Sequence, residues 1–430
     1  MKSSKNSKMI IELKHRSLKK KTNNKWIYFG GSYKYLKNLQ KRIDKNYEIS
    51  LTNEIYLKSL NNRKIFLNWL EEQRNSFNDS IYWWMNGLPS RNNFSSNFFI
   101  YICQLLAILD FIKNHEKIEK ITIISENYFL IKTLEDNLKQ NYNIKNPNFL
   151  NIKNFFEKLK FIFLGIINYF KLISFFAVHY FFSFLSRSKK FDYPTGDVYL
   201  FHDLISSKDF KNSIVQSRYF GDYADWLSKS GKKVLTLPWF YRNLKNKKSV
   251  YKNLRSKGSF IPEDWLNPVD YFGSIIKSLK SAFTINKKIV YPGLNILELI
   301  NTQKLLSLEN KSAIYFRYLP ALKKWSKNLN SLTFIDNYQN QIFEFPMRFG
   351  LKKLNIKTKS IGYYHSLHSE NFLPYQSNIN EWESDSKPSS VICPNELCKK
   401  VLNFQGIPSQ KLKVASDLQR QTFTDIELIK

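Results

Sequence analysis

Short runs of strand length and amphipathic runs of helix length take turns along most of the chain. KWIYFGG (25–31) predicts a strand turning at a glycine pair into the helical pattern YKYLKNLQKRI. ITIISEN (121–127) predicts a second strand, followed by the helix FLIKTLEDNLKQ. Between them, FFIYICQLLAILDFIKNH is apolar around most of its circumference, which predicts a helix buried on most sides. Six further strand patterns follow: DVYLFHDL (197–204), KKVLTLPWF (232–240), SLTFIDNY (331–338), IKTKSIGYY (356–364), SSVICPN (389–395) and KLKVAS (411–416). The helical patterns FGDYADWLSKSG, NQIFEFPMRFGLKK and NELCKKVLNFQG lie between most of them. Such alternation predicts an α/β fold with Rossmann-like, doubly wound parallel sheets. Gly30-Gly31 lacks the G-x-G-x-x-G spacing and reads as a tight strand-to-helix turn rather than a dinucleotide site.

Residues 151–192 break this rhythm. FIFLGIINYFKLISFFAVHYFFSFL (161–185) is long enough to cross a bilayer. It carries Lys171 and His179, however, and at about 100° per residue Asn168, Lys171, His179 and Ser183 share one side. Lys153, Lys158 and Lys160 precede it, and Arg187, Lys189 and Lys190 follow, so charge gives no orientation. Basic flanks around an aromatic-rich apolar face suit a helix lying in the headgroup plane of an anionic leaflet. A span, a re-entrant segment and a buried helix or hairpin are the alternatives. The expected parts are an α/β domain at 1–150, a membrane-associating apolar insertion at 151–192 and a Rossmann-like domain at 193–430.

Charge narrows the partners. Lys+Arg 67 against Asp+Glu 35 gives a net charge of +32, which favours anionic surfaces. The competing reading is compositional: Lys, Asn and Ile are all abundant, as a very AT-rich genome produces, and this accounts for charge without any partner. The basic residues are scattered and no zinc-finger, RRM or helix-turn-helix pattern stands out, so no specific nucleic-acid partner is expected. Cys103, Cys393 and Cys398 make no disulfide framework, and the last two lack a second pair for zinc. The N-terminus is basic with no long apolar core, unlike a secretory signal. The expected location is cytoplasmic, peripheral on the inner face of the cell membrane.

Candidate chemistry gathers where strands end. IGYYHSLHS (361–369) closes one predicted strand, and ligands of doubly wound sheets bind beyond the carboxyl ends of strands. The run IDNYQNQIFEFPMRFGLKKLNIKTKSIGYYHS resembles surface-carbohydrate (O-antigen and capsule type) biosynthesis proteins with a GT-B glycosyltransferase-like fold. In that family a Tyr-Glu-Asn-Gln-x-Trp-Glu run precedes a Gly-Tyr-x-His-Ser turn. Tyr338, Asn340, Gln341 and Glu344 match the run, with Gln339 in place of Glu and Phe343 in place of Trp. Gly362, Tyr363, His365 and Ser366 match the turn. SSVICPNELCKKVLNFQGIPSQKLKVASDLQR and SIYWWMNGLPSRNNFSSNFFIYIC (80–103) resemble further parts of the same proteins.

The resemblance implies two Rossmann-like domains, the C-terminal one binding a nucleotide-sugar donor. This chain's last residues, IELIK, stand where that domain would begin. The expectation is therefore a glycosyltransferase-like protein or its acceptor-binding half, from a split or truncated gene or with a separate chain supplying the nucleotide-binding domain, and a lipid-linked or glycan acceptor. No cofactor is expected beyond the donor substrate. Transfer needs a base for the acceptor hydroxyl and cations for the departing diphosphate. His365 and Glu344 are the catalytic candidates. Tyr338, Asn340, Gln341, Gly362, Tyr363, Ser366 and Arg420 are the substrate-binding candidates, with Arg420 suited to phosphate oxygens. His368 has no third partner at metal-ligand spacing, so no metal is expected. Each candidate has a plainer reading, as packing aromatic, helix cap or loop hydrogen bond, and the whole chain has one too: a non-enzymatic or degenerate membrane-bound scaffold.

Overall fold

The alternating patterns fold into two sheets, both wholly parallel, with α-helices between most successive strands among the described residues. The fold is thus Rossmann-like α/β, as the alternation of patterns predicts. A computed structural model describes residues 9–15, 24–92, 96–145, 147–187, 192–205, 217, 219–240, 246–284, 290–309, 312–365, 367–369 and 372–415. They form two units. One comprises Met1–Gln73, Asn93–Ile166 and Ile285–Glu309; the other comprises Arg74–Asn92, Ile167–Thr284 and Asn310–Lys430. The two units are interleaved along the chain: 74–92 belongs to the larger unit and 285–309 to the smaller.

The smaller unit has strands β1 (Ile10–His15), β2 (Lys25–Tyr28), β3 (Lys120–Ser125) and β4 (Asn143–Lys145), in the order β2-β3-β1-β4. β1 was not among the predicted strands, although IIELKH alternates and buries Ile11 and Leu13. The apolar helix Phe98–Asn114 is buried along most of its length, including Ile102, Cys103, Leu105 and Ile108. The Gly30-Gly31 turn is filled from within the chain. The N–H groups of Gly31 and Ser32 donate to Glu126 Oε1 at 2.8 and 2.9 Å. A Cβ on Gly30 would lie 2.0 Å from that carboxylate, so any larger residue there has to push the Glu126 side chain off the turn.

The larger unit has β5 (Gly196–Ile205), β6 (Lys233–Phe240), β7 (Leu329–Asn337), β8 (Lys357–Tyr363), β9 (Ser390–Cys393) and β10 (Leu412–Val414), in the order β10-β9-β8-β7-β5-β6. All six were legible as strands. One face packs helices Tyr318–Trp325 and Phe345–Lys352 on Leu200, Leu332 and Phe334; the other packs helix Tyr223–Lys229 on Phe201, Ile335 and Tyr363. From β5 the chain crosses to β6 on one side, then returns to β7 on the other. The order therefore reverses between β5 and β7, the switch point at which doubly wound sheets open a crevice.

Helix Pro147–Leu185 runs for 39 residues and passes from the smaller unit into the larger. Its stretch Phe155–Leu185 is long and apolar enough to cross a membrane by length and composition. Leu172, Phe176, His179 and Ser183 face the protein at spacings of four and three. Of the polar side read from the sequence, His179 and Ser183 are therefore buried, whereas Lys171 is exposed.

Candidate functional site at the carboxyl edge of the larger sheet

Strand alternation sorts the residues at the switch point onto two faces. Register pairs His202 of β5 with Asp336 of β7, and Asn337 of β7 with Tyr363 of β8. Phe201, Ile335 and Tyr363 share one apolar cluster, so Asp203, Asn337 and His365, each two residues further on, continue that face. His365 follows the end of β8 and meets the Tyr219 ring edge-on, with centroids 4.5 Å apart. Asn337 Oδ1 and His365 Nδ1 are buried polar atoms without a hydrogen-bond partner among the described residues. On the opposite face His202 Nε2 is in the same state, beside Phe334 and Phe343. Buried polar atoms ordinarily find partners, so a cluster of unmet ones at a switch point is where a ligand's polar groups fit. Burial holds the His365 imidazole down at about 4, with His368 adding to the effect. It is neutral at pH 7 and able to accept a proton.

The other face is closed. Glu344 is fully buried. Its carboxylate accepts from the backbone N–H of Gln339, Asn340 and Gln341 at 3.0, 3.2 and 2.8 Å, and from Arg348 Nη2 at 2.7 Å. Asn340 takes a left-handed φ of 56° to let the loop wrap this group. Arg348 Nη2 also donates to both Asp336 oxygens, at 3.0 and 2.9 Å. Burial pushes Asp336 up to about 7 against the pull of Arg348, and Glu344 adds to the rise. Burial raises Glu344 too, while Arg348 and the loop N–H groups pull it back. The base role expected of Glu344 is thereby corrected. With four donors around it and no exposure, it is the post on which the 338–344 loop is wound.

The remaining candidates divide in the same way. Asn340 gives Nδ2 to the carbonyls of Pro89 and Ser90 and takes Lys387 Nζ on Oδ1 at 2.9 Å, so it ties segment 74–92 to the sheet rather than facing a sugar. Tyr338 packs its ring among Tyr375 and Trp382. Gly362 is a spacer: a Cβ there would lie 2.9 Å from Tyr338 Cβ and 3.3 Å from Pro388 Cγ. Tyr363 is buried in the apolar cluster, and the Gln341 backbone N–H serves Glu344. His368 lies 3.3 Å from Tyr364 OH and stacks on Phe372. Ser366 and Arg420 lie outside the described residues. Of the expected site, His365 alone among the described residues joins the open face.

Sequence reasoning missed Asp203 and Asn337 on that face. It also missed Arg348, Asp336, Arg91, Glu381 and Lys387 beneath it. Glu344 and Arg348 stand four apart on a helical pattern, a legible signal. Arg91 and Glu381 are 290 residues apart and carry none. A separate cavity of about 510 Å³, lined by Lys352, Ser389 and Lys411 among others, opens at the amino ends of β9 and β10, the wrong edge for this fold's ligands. Comparison with protein-family models, with curated proteins and with solved structures finds no match to this chain.

Proposed function

We propose that the chain is a glycosyltransferase-like protein, or the acceptor-binding half of one, in bacterial surface-polysaccharide assembly on the inner, anionic face of the cell membrane. The observation that carries this reading is the meeting of two independent lines at one edge. Of the two runs that resemble surface-carbohydrate proteins, 338–344 and the described part of the second, 362–365, lie at the carboxyl ends of β7 and β8. There, beside the switch point, Asn337 Oδ1 and His365 Nδ1 are two of the unmet buried polar atoms, on the face that continues Phe201, Ile335 and Tyr363. In this reading His365 takes the acceptor hydroxyl proton and Asn337 orients the acceptor. A nucleotide-sugar is the donor. The acceptor is a glycan or lipid-linked glycan.

One observation favours a second reading. Gln339 replaces the carboxylate of the resembled run, and Glu344 is walled in, so His365 is the only general base the motif offers. The alternative is thus a non-enzymatic scaffold that binds glycan at the same edge.

The test incubates the purified protein, with and without the product of a neighbouring gene encoding a nucleotide-binding domain, with lipid-linked acceptor and labelled nucleotide-sugars. Transfer that His365→Ala abolishes supports the enzyme. Glycan binding without transfer, weakened by His365→Ala, supports the scaffold. Transfer and binding both unchanged in a folded His365→Ala protein sink the site.

A further inference from the structure

Two packed helices of the larger unit carry large apolar groups on their outer sides. Helix Pro268–Thr284 buries Ser274, Ser278, Ser281 and Ala282 and exposes Val269, Phe272, Ile276 and Phe283. Phe272, Val269 and Phe283 are 64%, 75% and 64% exposed, so large apolar groups face outward as well as inward, where Tyr271 and Ile275 pack against Leu172 and Phe176. The inward serines are all hydrogen-bonded: Ser274 to Asp270 O, Ser278 to Ser312 Oγ, Ser281 to Tyr82 O. The stretch of helix Pro147–Leu185 belonging to this unit likewise mixes polar groups into its inner side, beside Leu172 and Phe176, and keeps aromatics on its outer side. His179 and Ser183 point inward, onto Tyr251 OH at 2.7 Å and Asp264 at 3.2 Å, while Phe170, Phe181 and Phe184 point outward. The two helices pack on each other through Phe176 and Tyr271, with ring centroids 5.0 Å apart, and through Tyr169 OH and Ser278 Oγ at 3.3 Å. A helix on a water-facing surface turns polar groups outward instead.

We infer that these two helices form one in-plane docking face for an anionic lipid leaflet, with Pro268–Thr284 as a second rib beside Ile167–Leu185. The inference rests on the membrane association proposed above and adds to it a surface, a second element and an orientation. The first helix is held lengthwise on the protein by His179, by Ser183 and by Arg255, which donates to Ser183 and Asp264. A helix fastened along its side to a polar body lies along the bilayer surface and does not cross it. Charge selects the occupant. Lys171 and Lys280 are exposed beside the apolar stripes, and Arg187 stands over the Phe184 ring at 5.8 Å. Cations among outward aromatics match a headgroup and acyl boundary with negative charge. A second copy bearing the same net charge of +32 is repelled from the same face.

The three native cysteines are buried, so a single introduced cysteine can be labelled selectively. Phe272→Cys and Phe181→Cys each carry a polarity-sensitive fluorophore, and the protein is mixed with phosphatidylcholine vesicles with or without phosphatidylglycerol. Both labels are expected to shift to the blue and to be quenched by lipid-borne quenchers, with anionic vesicles only, and added salt is expected to weaken the effect. In parallel, Phe272→Glu combined with Ile276→Glu is expected to reduce vesicle co-flotation at least tenfold while leaving the circular dichroism unchanged. A shift at position 181 without one at 272 overturns the two-helix face and leaves the membrane reading standing. No shift at either position, with no co-flotation of the unmodified protein, overturns both. Concentration-dependent shifts without vesicles show that a second copy covers the face, and resistance of the membrane-bound protein to alkaline extraction shows a span; either result overturns the inference.

Discussion

Glu381→Gln removes the anion from a deeply buried ion cluster of the larger unit. Arg91 grips Glu381 with two hydrogen bonds of 2.7 and 3.0 Å, and Lys387 Nζ lies 2.6 Å from the same carboxylate. The three side chains are 2%, 5% and 0% exposed. Burial works against the Glu381 charge, but Arg91 and Lys387 outweigh it and hold the carboxyl at about 2, against its ordinary 4.5. That difference is worth about 3 kcal/mol of stability at neutral pH. Lys387 is the surplus cation: burial pushes it down to about 8, with Glu381 resisting and Arg91 adding to the fall. Glutamine keeps the shape but leaves two buried cations without a counter-ion. Breaking a buried pair from one side costs about 3–5 kcal/mol, and that loss is expected here. Urea unfolding followed by tryptophan fluorescence measures it, since Trp84 and Trp382 lie 5.3 and 5.7 Å from Lys387 Nζ. The sign with pH is fixed by the depressed carboxyl. Its contribution is complete above 4.5 and lost as pH falls through about 2, so the gap between wild type and variant narrows over that window. A loss under about 1 kcal/mol at pH 7, or a gap indifferent to acid, refutes the reasoning.

Gly362→Ala is expected to cost about 1–3 kcal/mol by overpacking, because the new methyl meets Tyr338 Cβ at 2.9 Å, a point near the backbone that cannot swing away; a melt unchanged from wild type contradicts it. Burial keeps His179 and His202 neutral down to about 3, whereas the unfolded chain takes up protons near 6.5. The unfolded state binds more protons between these values, so stability falls as pH drops below 6.5. His202→Leu removes one such group and moves the acid-unfolding midpoint to lower pH; an unmoved midpoint speaks against the buried neutral imidazole. If the protein transfers sugar, His365→Ala lowers the rate about 10²–10⁴-fold with the melt intact. The wild-type rate then falls on the acid side near the His365 value of about 4 and stays level above it, and a limb near 6.5 instead places that imidazole in water.

The larger sheet was legible strand by strand because its runs are strongly apolar and bounded by turn residues. β1 was not, since IIELKH is short and flanked by lysine-rich sequence that masks its alternation. At the site, His365 could be placed because position at a strand end is a local property. Glu344 was misread because sequence shows a carboxylate following a strand, whereas its role depends on three loop N–H groups and Arg348 closing around it. Arg91 meets Glu381 only after the chain has folded across 290 residues, a separation no local pattern spans. The outward apolar stripe of helix Pro268–Thr284 was missed for a different reason. Periodicity locates an apolar stripe but does not say which way it faces.

The place of β1 has a consequence for how the protein is made. It sits in the interior of the smaller sheet, bonded to β3 on one side and β4 on the other. Its first partner, β3, lies about 110 residues downstream. A ribosome adding about 5–20 residues per second needs roughly 6–22 s to reach it. During that wait a nascent strand with both edges bare is a template for wrong pairing, and the lysines on either side serve as gatekeepers against it. Slowing synthesis lengthens that exposure without changing final stability, so the two act separately on the yield of folded protein.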